Sequence, residues 1–137
     1  MADQQGHLLT SLDHVNVRTA RVGDMADFYC DVLGLSRGPR PPFPFGGAWL
    51  YCRDKPVVHL VEALLPSVSL DPEQLHLSHF AFSATGLEGF LSRLRQRGVA
   101  HRVGYLPGSR VAQVNLCDPD GNHLHVDFAD ADDHPAT

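Results

Sequence analysis

The sequence predicts an α+β fold in which one strand–helix–strands unit occurs twice along the chain. Three observations predict it. Runs in which apolar and polar residues alternate indicate strands, and runs with apolar residues three or four positions apart indicate helices. These runs occur in the same order in residues 11–63 and in residues 76–129. We therefore expect residues 1–137 to form a single domain of two repeated modules, with frayed polar ends.

The first module begins with a strand that is followed by a helix. Apolar and polar residues alternate over 12–19, and apolar residues recur at helical spacing over 22–33. Gly34 suits the end of this helix, because glycine adopts the left-handed backbone conformation found there. The Pro- and Gly-rich segment 37–47 predicts a loop or an irregular edge. A hairpin is predicted from the two apolar runs that follow, at 48–52 and 57–62.

The second module repeats this order. A strand is predicted over 77–84, and a helix over 86–97 that ends at Gly98. The connector between the modules, residues 66–76, is polar. The remaining strands are expected around 100–103, 110–117 and 123–128, with a tight turn at 118–122.

The composition argues against several classes of partner. The chain carries 11 Lys and Arg against 16 Asp and Glu, a formal net charge of −5. We expect no nucleic-acid partner, because binding to phosphate backbones requires clustered positive charge. We expect no membrane partner either, since no run approaches the roughly 18 to 20 apolar residues that cross a bilayer. The polar N-terminus lacks the pattern of a secretory signal, which predicts a cytoplasmic protein.

The three cysteines favour reduced thiols over a disulfide framework. Cys30, Cys52 and Cys117 are odd in number and lack CxxC spacing. A catalytic thiol is one interpretation, and a small buried apolar side chain is the other. We expect the second, because free cysteine is usually buried.

Histidine is abundant, and four of the nine histidines occupy repeated positions. When the two modules are laid over each other, His14 falls on His79 and His59 falls on His125. The first pair belongs to the first strand of each module and the second pair to the last strand. On the first strands the histidines point away from the apolar core residues, so all four are expected on the faces opposite the core.

Four imidazoles on such faces suit a shared metal site if the two sheets curve towards each other. Neutral imidazole is the commonest metal ligand among side chains, and a catalytic site would keep a position open for substrate or water. The alternative is that each histidine is an ordinary hydrogen-bonded residue. His123 lies on the face of His125 and is expected either behind the metal ligands, in contact with one of them, or at the rim of the site. The other four are expected in solvent: His7, His76, His101 and His134.

Four motifs together resemble the vicinal oxygen chelate superfamily, which includes glyoxalase I, extradiol dioxygenases and bleomycin resistance proteins. They are LDHVNVRT (12–19), FYCDVLGL (28–35), LSHFAF (77–82) and DPDGNHLHV (118–126). The resemblance implies two βαβββ modules that form a half-open barrel around a divalent metal ion, here Fe, Ni, Zn or Mn. Its metal ligands correspond to His14, His59, His79 and His125. It also contributes to the expectation of a homodimer.

The sequence departs from the family at the last-strand positions. The family usually has Glu where this chain has His125, and often Glu at the position of His59. The reaction of the better-known relatives therefore does not transfer directly. We assign the catalytic roles to His125 and Asp127, with Asp127 orienting a ligand or acting as a base. Neutral ligands leave the full charge of the metal in place, which favours an anionic, chelating substrate.

Six further residues are expected to contact the substrate, because they share the faces of the four histidines. For Trp49 and Tyr51 the alternative is ordinary packing, and for Arg18 it is a surface salt bridge. Arg40 and Phe43 lie in the proline-rich segment and are expected at the mouth of the cavity or in a plain connector. The six predicted substrate-binding residues are Asn16, Arg18, Trp49, Tyr51, Gln113 and Asn115.

Two functions are compatible with this pattern. The first is a metal-dependent enzyme, an isomerase, lyase or dioxygenase that acts on a small oxygenated substrate. The second is a non-catalytic binding protein of the bleomycin-resistance type. The four paired histidines favour the enzyme, because a sequestering pocket has no need of them, while the missing carboxylate keeps the binding protein open.

Overall fold

The computed structural model describes residues 8–64 and 76–129. The predicted tails and most of the polar connector lie outside these residues. The described chain contains eight strands and two helices in the order strand–helix–three strands, twice. The elements are β1 (Val15–Thr19), α1 (Val22–Asp31), β2 (Ser36–Gly38), β3 (Gly47–Cys52), β4 (Lys55–Glu62), β5 (Phe80–Ala84), α2 (Leu87–Gln96), β6 (Arg102–Tyr105), β7 (Ala112–Cys117) and β8 (His123–Phe128).

The strands form two four-stranded mixed sheets with the same topology. The order is β1-β4-β3-β2 in the first sheet and β5-β8-β7-β6 in the second. In each sheet the first strand pairs in parallel with the last, and the remaining pairs are antiparallel. The two βαβββ modules of the predicted α+β fold are confirmed, and their unclosed sheets are those of a half-open barrel.

Each sheet buries one face beneath its own helix. In the first module Met25 and Tyr29 of α1 pack with Val58 and Leu60 of β4, and all four are almost fully buried. In the second module Phe90 of α2 meets Phe128 of β8, with the ring centres 5.6 Å apart. The remaining core residues alternate with polar ones along the strands. Burial of each large apolar side chain stabilises the fold by about 1.5–3 kcal/mol.

The opposite face of each sheet, here called the open face, carries the polar residues of the alternation. Asn16, His59 and Trp49 are register partners across β1, β4 and β3. Ala81, His125 and Asn115 are the corresponding partners across β5, β8 and β7. The internal repeat therefore places equivalent residues at equivalent points of two separate open faces.

Several predicted boundaries are wrong by a few residues. Gly34 and Gly98 have the expected positive φ, of 84° and 65°, but α1 ends at Asp31 and α2 at Gln96. The strands predicted to begin at 12 and 77 begin at Val15 and Phe80. Their pairing starts there, at Val15↔Val58 and Phe80↔Leu124, so the preceding residues have no ladder partner.

The segment 37–47, predicted as a loop or an irregular edge, contains both. Arg37 and Gly38 belong to the short edge strand β2 and pair with β3, and Pro39, which has no N–H, ends the pairing. The expectation of buried cysteines is wrong for Cys52 and Cys117, which are exposed at the ends of β3 and β7, whereas Cys30 is partly buried and its pKa is raised by burial.

The two modules meet where α1 approaches the turn before β8. The Arg21 guanidinium forms an ion pair of 3.0 Å with Asp120, and the Arg93 side chain of α2 donates to the carbonyl oxygen of Val32. None of the described helices is long and apolar enough to cross a membrane.

Candidate functional site

The open face of the first module carries a stack of three rings. His59 lies between His14 and Trp49, with ring centres 3.8 Å and 4.0 Å away and planes inclined by only 10° and 13°. The sheet produces this arrangement because Trp49 and His59 are register partners on adjacent strands. His14 lies one residue before β1 rather than on the strand, as predicted, and folds over the exposed side of His59.

Both histidines of this stack have one ring nitrogen held by protein oxygen. His59 Nε2 lies 3.1 Å from the carbonyl oxygen of Pro56, and His14 Nδ1 lies 2.6 Å from a carboxylate oxygen of Asp13. That hydrogen bond holds the pKa of Asp13 below its usual value. Burial, followed by the neighbouring His14, lowers the pKa of His59 and so favours its neutral ring.

The open face of the second module carries three histidines. The ring centre of His79 is 4.7 Å from that of His125 and 5.1 Å from that of His123. His79 precedes β5 by one residue, so its predicted place on the strand is corrected in the same way as that of His14. His123 and His125 both belong to β8, two residues apart and on the same face.

Polar side chains fix the rings of the second module as well. His125 Nδ1 is 2.6 Å from Oδ1 of Asp127, and Nδ1 of His79 is 3.0 Å from the hydroxyl of Ser78. His123 Nε2 lies 2.9 Å from Oδ1 of Asn115. Burial lowers the pKa of His123, and the positive charges that His79 and His125 would carry lower it further.

The four histidines selected from the repeat fall into two pairs, one on each module. No ring contact joins a histidine of one module to a histidine of the other within residues 8–64 and 76–129. In this part of the chain no group of three or more His, Cys, Asp or Glu side chains is arranged to hold a metal ion. The structure therefore brings His14 to His59 and His79 to His125, but does not bring the two pairs together.

The donor set nevertheless has the chemistry that a divalent metal requires. Each of the four rings uses one nitrogen in a hydrogen bond to protein oxygen, and the other nitrogen has no hydrogen-bond partner among the described residues. Ligating histidines have this pattern, because an outer hydrogen bond fixes the tautomer and orients the ring. The chemistry of these residues fits a metal bound by imidazoles. The rings of His14 and His59 stack with planes only 10° apart, so one of them has to turn before both free nitrogens can reach the same ion.

The six predicted substrate-binding residues lie on or beside the open faces. Asn16 and Arg18 are exposed on β1, and Arg18 makes no hydrogen bond or ion pair with any described residue. Tyr51 sits at an irregularity of β3 and donates its hydroxyl to the carbonyl oxygen of Pro39, so its hydroxyl is already engaged. Gln113 is the register partner of Asp127, and Asn115 that of His125.

Arg40 and Phe43, expected at the mouth of the cavity or in a plain connector, lie beside the first module's open face, together with Phe45, which was not predicted there. The rings of Phe43 and Phe45 stack with centres 4.9 Å apart, and Phe43 lies 6.5 Å from Trp49. The guanidinium of Arg40 lies over both phenylalanine rings, 5.3 Å and 5.6 Å from their centres. The signal in the sequence was the repeated Phe–Pro pattern in PPFPF (41–45), which a loop interpretation based on proline alone ignores.

Comparison with known proteins agrees with this fold. The chain is 28% identical over 130 residues to "Glyoxylase I 4" of Arabidopsis thaliana, which covers 86% of this chain and 70% of that protein. A glyoxylase/bleomycin resistance protein/dioxygenase domain from Frankia sp. EAN1pec superposes with a TM-score of 0.74 at 19% identity, over 92% of this chain and 96% of that one. TnmS3, an antibiotic binding protein from Streptomyces sp. CB03234, superposes with a TM-score of 0.61 at 21% identity, over 89% and 98%.

The family model of the Glyoxalase/Bleomycin resistance protein/Dioxygenase superfamily matches residues 11–126. This range includes all four histidine positions of the repeat and every strand except the last two residues of β8. The resemblance carried by the sequence motifs is confirmed. The protein belongs to this superfamily, the group of the vicinal oxygen chelate fold.

Proposed function

We propose that the protein is a metal-dependent enzyme of the vicinal oxygen chelate type that acts on a small, anionic, oxygenated substrate. One observation carries this proposal. Equivalent positions of the two modules hold paired imidazoles, each with one nitrogen engaged by protein oxygen and the other without a partner among the described residues. Chance surface histidines have no reason to repeat this pattern twice.

The ligands of the proposed site are His14, His59, His79 and His125. Imidazole nitrogen suits Zn, Ni and Fe, and the carboxylate-free set leaves the ion's charge unneutralised. When bound, the metal supplies the positive charge that stabilises an oxyanion of the substrate. That charge favours substrates such as enolates, catecholates and hydroxy acids.

Asp127 has two roles in this proposal. Its Oδ1 accepts a hydrogen bond from Nδ1–H of His125, which fixes the tautomer that leaves Nε2 free. Its other carboxylate oxygen makes no hydrogen bond with the described residues and is the proposed proton acceptor. The side chain is partly accessible, so a substrate proton can reach it from the open face.

The remaining polar residues of the open faces orient the substrate. Arg18 is unpaired within the described chain and provides a guanidinium for a substrate carboxylate. The amides of Asn16 and Gln113 offer donors and acceptors on either side of the histidines. Tyr51 is assigned to the wall of the cavity, because its hydroxyl already binds Pro39.

A homodimer would complete the site. Within one chain the modules meet through α1 and the turn before β8, whereas the two histidine pairs lie on separate open faces. His14 and His79 directly precede β1 and β5. Each of these strands lies at the edge of its sheet and pairs with one other strand. We propose that the open face of the first module lies against that of the second module of another copy. His14 and His59 then share a metal with His79 and His125 of the partner subunit.

Metal analysis of the purified protein tests this function. We expect a bound divalent metal in the wild type, and a loss of at least about tenfold in metal affinity in both His14→Ala and His79→Ala. His76→Ala serves as the matched control, because His76 is exposed and lies before β5, outside both histidine pairs. If the wild type neither retains nor tightly rebinds Fe, Ni, Zn or Mn, the proposal is wrong.

A ligand-sequestering protein is the second candidate. Two features favour it: His125 stands where the family resemblance implies a carboxylate, and the fold is like that of an antibiotic binding protein. The two functions differ in one measurement. A sequestering protein binds its small molecule unchanged and equally well after chelation of metal, whereas the enzyme converts it and loses activity.

A further inference from the structure

The loop between β2 and β3, residues 39–46, is built to display aromatic rings. Four of its eight residues are proline, so its backbone loses little conformational freedom when a ligand binds. We call this segment the aromatic loop. Its two phenylalanines, Phe43 and Phe45, remain 41% and 43% exposed although they stack on each other. Exposed neighbouring rings on a rigid loop are typical of a binding surface.

The aromatic loop continues the ring stack of the proposed metal site. Phe43 and Trp49 lie 6.5 Å apart with their planes inclined by 52°, so the loop rings and the indole form a tilted aromatic pair. Trp49 in turn stacks on His59. A flat ring that lies on this row of aromatic side chains would lie next to a group bound at the histidines.

Positive charge lies at both ends of the same part of the sheet. Arg18, Val61 and Gly47 are register partners across β1, β4 and β3. Nη2 of Arg40 lies 3.3 Å from the position that a Cβ on Gly47 would occupy, so the Arg40 guanidinium is at the far end of the row that begins at Arg18. Two guanidinium groups beside a row of aromatic rings are complementary to an anion that carries a planar ring.

The Arg40 guanidinium has one buried nitrogen without a hydrogen-bond partner within the described chain. Its Nη2 donates to the carbonyl oxygen of Phe45, and its plane covers the two phenylalanine rings. Its Nε is buried without a hydrogen-bond partner among the described residues. Such a buried, unsatisfied donor is uncommon in structures that serve stability alone.

We propose that the aromatic loop and Trp49 form a subsite for the planar ring of an aromatic acid, with its acidic oxygens directed towards Arg18 and the histidines. This inference rests on the proposed function, because it takes the open face of the first module as the ligand-binding face. It narrows the substrate class from small oxygenated anions to aromatic hydroxy acids and related planar oxyanions.

A matched pair of probes tests the subsite. Benzoate and cyclohexanecarboxylate carry the same carboxylate group on a flat and on a saturated ring. We expect the wild type to bind benzoate roughly tenfold more tightly by calorimetry, since aromatic stacking favours the flat ring. In the double variant Phe43→Leu with Phe45→Leu, which keeps the apolar bulk, most of this preference should disappear while metal content stays unchanged.

Controls separate the alternatives. Leu106→Ala removes an equally exposed apolar side chain from the second module and should leave the preference intact. Equal binding of the two probes by the wild type, or an undiminished preference in the double variant, would overturn the proposal. So would dissociation of a wild-type dimer in the double variant, because the rings would then belong to an interface between copies. A preference for benzoate in a protein that binds no metal would support the subsite and refute only the metal-dependent function.

Discussion

The hydroxyl of Tyr29 donates a hydrogen bond of 2.7 Å to Oδ2 of Asp118 in the protein interior, and thereby joins α1 of the first module to the turn before β8 of the second. Tyr29 is fully buried and Asp118 is 4% exposed. The carboxylate also accepts hydrogen bonds from the backbone N–H groups of Asp120 and Asn122, and from the Asn122 side chain. One buried carboxylate therefore shapes the DPDGN turn and fixes the relative position of the modules.

Tyr29→Phe should destabilise the protein by about 1.5–3 kcal/mol, the range for a hydrogen bond to a charged group. The ring remains to fill the core, so the change reports mainly the lost hydroxyl. Urea unfolding followed by circular dichroism measures the difference. Tyr51→Phe is the control, because its hydroxyl binds a carbonyl oxygen at an exposed site. A loss no larger than that of the control would show that the contact between the modules contributes little.

The same contact predicts that the stability of the protein falls as the pH becomes alkaline. Burial raises the pKa of Tyr29 in the folded state, and the negative charge of Asp118 raises it further. At pH values below the ordinary tyrosine pKa of 10.0, the hydroxyl is protonated in both the folded and the unfolded chain, so the raised pKa does not change the stability. Above it the unfolded chain releases the proton while the folded chain keeps it, so the free energy of unfolding falls as pH rises. Chemical unfolding between pH 8 and about 11 should show a steeper decline for the wild type than for Tyr29→Phe; parallel curves would contradict this assignment.

The internal repeat explains why the fold was readable from the sequence. Alternation placed His59 and His125 opposite the core residues of their strands, and their neighbours Leu60 and Val126 are indeed buried in the core. Local periodicity depends on residues close in sequence, which is why it succeeded. It missed β2, because three residues before a proline give too short a pattern.

The contact between the two modules could not be predicted from local periodicity. Tyr29 and Asp118 are 89 positions apart, and neither the Tyr in FYCDVLGL nor the Asp in DPDGN signals a partner. The expectation of four histidines around one point depended on that long-range geometry. The prediction of burial likewise failed for Cys52 and Cys117. Residue type favours burial, but both cysteines lie at the ends of strands, where they are exposed.

Trp49 provides a direct optical test of the first histidine pair. It is the single tryptophan of the chain, and its ring stacks on His59 at 4.0 Å. Binding of Co²⁺ or Ni²⁺ at His59 should quench its fluorescence in a saturable manner, because a metal with an open d shell would then lie beside the indole. His59→Ala should abolish the saturable quenching, whereas His101→Ala should not. Quenching that survives in His59→Ala would place the metal elsewhere.

Asp127→Asn should weaken metal binding by about 10–100-fold, the effect expected for loss of the carboxylate that orients a ligating histidine. The amide keeps the size of the side chain and an acceptor for Nδ1–H of His125, so folding should be unaffected. Competition with a chromophoric chelator measures the affinity. Asp54→Asn, on the exposed turn between β3 and β4, is the control. Equal affinities for the variant and the wild type would remove Asp127 from the metal centre.

Subunit mixing distinguishes a site within one chain from a site shared by two. One variant loses the first histidine pair, through His14→Ala and His59→Ala, and the other loses the second pair, through His79→Ala and His125→Ala. If the two pairs meet across a dimer, a heterodimer of these variants combines both defects in one site and leaves the other site complete. Neither homodimer retains a complete site.

The two variants are co-expressed with different affinity tags, and the heterodimer is isolated by purification on both tags. We expect it to bind about half as much metal as a wild-type dimer carrying the same tags, while each homodimer binds almost none. Circular dichroism and sedimentation show that all forms are folded and dimeric. A folded heterodimer without metal would assign each site to a single chain, because the modules would then have to close on each other within one subunit. A wild type that sediments as a monomer would exclude a shared site directly.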